Sequence, residues 1–548
     1  MEHSLLHAVQ LLSIVATLGG ALLILVVLNP ACCLLGPDPA RAALQQRLCD
    51  QVGRWVCRSA LAGAGAALVD LLVRTAEVRG QTVFGGVDIS MAVRLATTTT
   101  VGQLLLARTA VLLLAAAAAR GAPPYKWQAI GVLGAAAAVC ASLVSHAAAQ
   151  PAGRAGVIAA QIVHIGAAAV WMGVLIHLLL ARRTFEAASA PGALALVAEM
   201  VRRFSPVALA TASLLAGSGV YSFTRFVATP AAVPVSAYGL TLVVKLTLLV
   251  PLLAAGFINF RIVRPALLAA RSSSAGRDGA LPVLQRFGRM LELEVTAGVL
   301  VIAVAGILGG ISPPGDDGSQ RLTPTQVRAL LSPDLPTTMI ADPATFYDQP
   351  MRTIDDLRYS EFTHNWSGVF VVLLGVCWLV QSVGQRVGDT AGRLWPLLLV
   401  PFAMFITVAS DPEVWILRRI TLREALSSPQ ILEHHIGALM VLVLAWLGWC
   451  DLRGPRVNRP LGYALPILMI FGSLLLLGHA HSSLNITDDL GTLINVQHAI
   501  LGGLGLLAGT TRWLSLRGLV PQRMARATWP ALIVAIGLFM AFGYREVL

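Results

Sequence analysis

The chain has 548 residues, of which 56% are hydrophobic and only 12% charged, and its formal net charge is +12. No soluble domain needs that much apolar surface, so the composition defines an all-α polytopic membrane protein. The positive balance follows from a bias in alternate loops and carries no nucleic-acid signal.

Apolar runs long enough to cross a ~30 Å hydrocarbon core as a helix recur about 14 times. They are Ser4 to Leu28, Trp55 to Val78, Thr100 to Ala119, Trp127 to Ala148, Gly156 to Ala181, Phe204 to Phe226, Tyr238 to Val263, Arg289 to Ile311, His364 to Val383, Leu394 to Ser410, Ile431 to Cys450, Leu461 to His479, Gly491 to Arg512 and Thr528 to Gly543. The first begins with Glu2 instead of a basic segment and is too long for a signal peptide, so it reads as a retained helix. Asp70, Arg74 and Arg108 interrupt the second and third runs.

Lys and Arg set the expected orientation. Arg41, Arg47 and Arg54 mark the first loop, Arg120 and Lys126 the third, and Arg182, Arg183, Arg202 and Arg203 the fifth. Arg264, Arg271, Arg277 and Arg286 follow, then Arg386 and Arg393, then Arg453, Arg456 and Arg459, then Arg517, Arg523 and Arg526. These alternate loops are read as cytoplasmic, which puts both termini outside. The longest intervening loop, Ser312 to Thr363, is acidic and divides an eight-helix bundle (1–311) from a six-helix, histidine-rich bundle (364–548). Within it, Thr323-Pro324-Thr325-Gln326 has Thr at the N-cap, Pro at N1 and Gln at N3, which predicts a short helix through Leu331.

None of the seven cysteines falls in an outer loop, so disulfides are not expected. Cys32, Cys33, Cys49 and Cys57 cluster toward the cytoplasmic side. They are either small apolar fillers or a soft-metal exit site.

Ten of the eleven histidines fall on the expected outer side. His364 opens the ninth span, and His434 and His435 open the eleventh beside Glu433. His479 and His481 close the twelfth, and His498 lies about two turns into the thirteenth. Asp411 and Glu413 close the tenth at the same depth, as expected of a second shell. In the first half, His3 and His7 are one turn apart, His146 ends the fourth span, and His164 lies in the outer half of the fifth, a second candidate metal or haem site. Only His177 points the other way.

Ionisable groups inside membrane helices mark functional sites by default. Many neutral imidazoles with carboxylates suit Cu(II) or Zn. Cu(I) prefers sulfur, and Met172, Met339 and Met351 supply some. Two histidines on facing helices can instead hold one haem b. A single histidine near a helix end is more often an ordinary interfacial residue, and His-x-His points to two helix faces unless the helix ends there. It is the joint pattern that carries the metal reading. Asp70, Arg108 and Lys245 are read as an intramembrane ion pair, structural or part of a proton or ion relay. Runs such as Gly502-Gly503-Leu504-Gly505 suit close helix packing. Walker, nucleophile-elbow and zinc-protease motifs are absent, which argues against an ATP-driven pump and a hydrolase; the chain is read as a non-enzyme, with a redox role open if haem is bound.

From about residue 156 the chain resembles the CopD family of bacterial copper-resistance membrane proteins. The matching pieces are His164-Ile165-Gly166-Ala167-Ala168-Ala169-Val170-Trp171-Met172-Gly173, Arg203-Phe204-Ser205, Tyr238-Gly239 with Lys245, Asn259-Phe260-Arg261 before Pro265, and Glu292 with Glu294. The second half resembles the module that accompanies this domain in longer relatives. Its matching pieces are His364-Asn365-Trp366, Ser410-Asp411-Pro412-Glu413-Val414-Trp415, Glu433-His434-His435, Gly478-His479-Ala480-His481, Gln497-His498 and Arg512-Trp513-Leu514. The first four spans match only loosely. The resemblance implies copper handling at the bacterial cytoplasmic membrane, in the direction of uptake, with a CopC-like extracytoplasmic partner.

Three readings stay open at this point. One is copper binding for uptake or transfer, another a b-type cytochrome passing electrons at the outer face, and the third a delivery or assembly factor that does not transport. A Soret band separates the cytochrome from the other two.

Overall fold

The computed structural model describes residues 2–79, 82–122, 124–150, 153–187, 191–227, 229–272, 277–315, 318–338, 353–383, 386–452, 461–479 and 488–548. Among these residues there is no strand, and 13 helices are long and apolar enough to cross a membrane. They are α1 (His3–Leu35), α2 (Pro39–Glu77), α3 (Thr100–Arg120), α4 (Lys126–Leu143), α5 (Arg154–Ala187), α6 (Ala193–Phe226), α7 (Ala237–Ala270), α8 (Leu281–Leu308), α9 (Ile354–Ser382), α10 (Gly392–Ala409), α11 (Ile431–Cys450), α13 (Asp488–Leu516) and α14 (Gln522–Gly543). The shorter apolar helix α12 (Ala464–Gly478) brings the total to the fourteen runs of the sequence. The chain is an all-α polytopic membrane protein.

Several helices outrun their apolar stretch, because hydropathy marks the crossing and capping marks the helix. α2 starts at Pro39 instead of Trp55, where the Asp38 carboxylate accepts from the Ala40 amide at 2.9 Å. α9 starts at Ile354, so His364 lies inside it and not at its start. Thr353 and Asp356 cap that end reciprocally, at 2.7 Å and 3.2 Å. The predicted loop helix forms over Pro324–Leu330 with its full capping box. An unanticipated helix, Ile89–Thr98, follows an Asp88 cap.

α1 is the central helix of the first half, packed on α2, α4, α5 and α8. The second half is a closed ring: α9 packs on α10, α10 on α11, α11 on α12, α12 on α13, α13 on α14, and α14 back on α9. The last closure needs glycine. A Cβ on Gly537 would lie 2.5 Å from the Val372 amide, and one on Gly368 would lie 2.4 Å from that of Ala541.

An apolar seam joins the halves, built from Ala8, Val244, Leu300 and Val304 on one side and Leu474, Leu477 and Leu506 on the other. The glycine run sits here as expected; a Cβ on Gly503 would come within 2.7 Å of Val244. At one face Glu292 holds Arg517, and also Arg182 at 3.5 Å, so a single carboxylate ties the halves together. This is the arginine face. At the other, histidine face, Thr82 bonds the Leu426 and Ser427 carbonyls at 2.8 Å and 2.7 Å.

Candidate metal centre

Every helix of the closed ring delivers a polar side chain at the histidine face. His364 comes from α9, Asp411 from just past α10, His434 and His435 from α11, His479 from the end of α12, His498 from α13 and Tyr544 from just past α14. The first ten residues of α9 and of α13 rise above the site, which places His364 and His498 at matching depth, ~15 Å along their helices.

Four imidazoles close a quadrilateral. Ring centroids are 6.1 Å apart for His364–His434, 6.5 Å for His434–His479, 4.7 Å for His479–His498 and 6.0 Å for His364–His498. Around one ion with ~2 Å bonds, tetrahedral imidazole centroids stand ~5 Å apart. The quadrilateral is therefore open by about 1 Å on three of its sides. Consistent with this, among the described residues no three His, Cys, Asp or Glu side chains converge on one ion position as they stand.

Hydrogen bonds orient the rings. His364 Nδ1 donates to the Ser360 carbonyl at 2.8 Å, and His479 Nδ1 donates to Glu433. Both bonds fix the proton on Nδ1 and leave Nε2 as the lone-pair nitrogen, as in a ligand oriented from its second shell. Glu433 thus acts as an orienting carboxylate.

Sequence reasoning missed Tyr544. It is fully buried, stacks on His364 at 4.2 Å and donates to Glu546 at 2.8 Å. A π-turn, Phe539–Gly543, precedes it, and Asn365 Nδ2 bonds the Met540 carbonyl there at 2.9 Å. Gln497 holds the next residue by two bonds, to the Arg545 amide and carbonyl, both 2.7 Å. The signal available was Tyr-Arg-Glu directly after an apolar run. These are groups that a helix end buries only if they are paired.

His-Asn-Trp at 364–366 is explained in full: Asn365 also accepts from the Thr337 amide at 3.0 Å, and Trp366 donates to the Thr337 carbonyl at 3.1 Å. His435 departs from the expected set. It has no ring contact with the quadrilateral among the described residues; its Nδ1 donates to Ile431 at 2.9 Å and its ring faces Asp411 instead. Consecutive helical residues point ~100° apart, so His434 and His435 serve different sides of α11. Asp411 and Glu413 go with His435, not with the quadrilateral. Burial holds both carboxyls above the usual range, and the Asp411 charge adds to the effect at Glu413. His481, Met339 and Met351 lie outside the described residues.

The first half is built differently. His3 Nδ1 donates to Asp70 at 2.6 Å and its Nε2 accepts from Arg74 at 2.7 Å, so both ring nitrogens are used. Gln10 adds a bond to Asp70 at 3.2 Å. His7 stacks near His3 at 6.3 Å and feels the buried Arg108, and His146 reaches the Ile311 backbone close by. His164 does not join them; it bonds Ser218 at 2.9 Å and lies near Lys245. The expected trio is corrected accordingly: among the described residues no ion pair joins Lys245 to Asp70, whose partners are His3 and Arg74. The reason is placement, since Lys245 is carried by α7 on the far side of α8 from α2. At the arginine face, Cys32 and Cys49 sit close enough to sense each other's charge.

Fold and site together define a multi-pass helical membrane protein with an imidazole cluster at one face. The comparisons make this more particular. Residues 198–308 match the model of the copper resistance protein D family, and residues 3–157 match that of the copper resistance protein D-like N-terminal domain. The second match corrects the expectation that the first four spans resemble the family only loosely. Both matches end before the quadrilateral begins. No curated protein and no solved structure matches the chain.

Proposed function

We propose that this copper-resistance membrane protein binds copper at the quadrilateral of His364, His434, His479 and His498, for uptake or transfer at the bacterial cytoplasmic membrane. The observation that carries this is the closed ring of four imidazoles drawn from four helices, two of them oriented through Nδ1. Rotation of the rings by about 1 Å brings three or four nitrogens onto one ion. The histidine face is read as the outward one, because the arginine-rich loops lie on the other. A CopC-like extracytoplasmic protein is the natural donor at that face. The protein acts here as a binder and carrier, not as an enzyme.

A haem between opposite members fits this site poorly. The remaining two imidazoles and Tyr544 occupy the space that a porphyrin plane needs. The delivery reading has one observation in its favour: His177, the histidine farthest toward the arginine face, has its Nε2 committed to the Ala16 carbonyl at 2.8 Å. Cys32 and Cys49 favour passage to that face instead.

The test is copper titration of purified protein against a competing chelator. His479→Ala with His498→Ala is expected to weaken copper binding at least ~100-fold while circular dichroism stays unchanged. Undiminished affinity, or a Soret band in the wild type, overturns the proposal. Copper accumulation inside loaded proteoliposomes separates uptake from transfer.

A further inference from the structure

A second group of polar atoms lies on the other side of α11. α10 and α11 run antiparallel, with Phe402 and Ile406 packed among Val441 and Ala445. One turn nearer the histidine face, just past the end of α10, lie Ser410 and Asp411, the latter near enough to His435 to sense its charge. Asp411 is 1% exposed, and neither carboxylate oxygen has a hydrogen-bond partner. The Val414 amide is turned toward it but lies outside bonding geometry. Ser410 Oγ is buried and unpartnered, and so is His435 Nε2. Because His435 Nδ1 donates to the Ile431 carbonyl, its Nε2 can only accept.

Two carboxylate oxygens, an imidazole nitrogen and a hydroxyl are thus buried without a hydrogen-bond partner where the ends of α10 and α11 adjoin. Leaving such groups unmet costs on the order of the full desolvation of each. The ligand set on offer is one imidazole nitrogen with carboxylate and hydroxyl oxygens. Glu413 stands next to Asp411 and is itself within reach of the Arg419 charge.

We propose that Asp411, His435 and Ser410 form a second cation site, for a divalent ion of the Cu(II) or Zn(II) class, separated from the imidazole quadrilateral by the thickness of the first turn of α11. A mixed nitrogen and oxygen set suits those ions, and the Nδ1–H bond to a carbonyl presents Nε2 in the manner of a metal-bound imidazole. His434 and His435 then serve one site each. The site does not depend on copper occupying the quadrilateral.

Copper(II) stoichiometry and electron paramagnetic resonance of the full-length purified protein test this. The wild type is expected to bind two equivalents. Asp411→Asn and His435→Gln each lose one, specifically the species with coupling to a single nitrogen. The His479→Ala, His498→Ala variant loses the other. Asp411→Asn removes an unpartnered buried charge, so without metal it is expected to melt no lower than the wild type, which guards against loss by unfolding. If Asp411→Asn and His435→Gln bind as the wild type does, water alone meets these acceptors and the second site is overturned, while the quadrilateral reading stands. If a single equivalent survives His479→Ala, His498→Ala unchanged and vanishes in Asp411→Asn, the second site stands and the quadrilateral reading fails.

Discussion

Both halves of the molecule gather histidines at the same face, yet they spend them differently. In the first half His3 is locked between Asp70 and Arg74, with both ring nitrogens used, and the buried Arg108 adds a second positive charge against one carboxylate. In the second half the rings of the quadrilateral meet carboxylates: Glu433 sits behind His479 and orients it, and Glu546 lies 3.8 Å from His364 Nδ1. The difference teaches that histidine count and depth do not make a metal centre. What decides is whether the surrounding charges consume the imidazoles or present them.

The comparison is broken most forcefully at Asp70. Asp70→Asn leaves the buried Arg108 and the part-buried Arg74 without their counter-charge and is expected to destabilise the protein by about 3–5 kcal/mol. Thermal unfolding in detergent measures this, and copper stoichiometry of the folded fraction is expected to stay at the wild-type value. Next in size is Gly537→Leu, which forces α14 off α9 and costs about 1–3 kcal/mol by overpacking. It also carries Tyr544 away from His364, so chelator competition is expected to show copper binding largely lost in this variant. Glu433→Gln sharpens the contrast with Asp70→Asn. It is expected to weaken copper about 10–100-fold by releasing His479, with little change in melting temperature. The smallest effect belongs to Tyr544→Phe. It keeps the stack on His364 and loses the bond to Glu546, for about 1 kcal/mol of stability and a copper affinity within a few-fold of wild type.

Much of this was legible in the sequence, and the rest was not, for definite reasons. The spans were legible because each needs its own ~20 apolar residues. The loop helix was legible because Thr323, Pro324 and Gln326 state their capping roles locally. The parting of His434 from His435 follows from helical geometry alone, although the pattern of adjacent histidines invites the opposite reading. His3 with Asp70, and His364 with Tyr544, were not legible. Each pair is separated by a long stretch of chain and meets only because helices of particular lengths end at a common depth. Hydropathy carries no such register, and the ten residues that extend α9 above His364, four of them charged, were indistinguishable from loop.

The seam between the halves constrains how an ion can move. Carriers that expose a site to one side and then the other commonly do so by rocking one bundle against its neighbour. Here such a stroke would have to pull Val244 off Gly503 and Ala8 off Leu474 and Leu477, and also release Arg517 from Glu292. If copper binds at the proposed quadrilateral, ring rotation within the six-helix ring would leave this seam and the Glu292–Arg517 clamp intact.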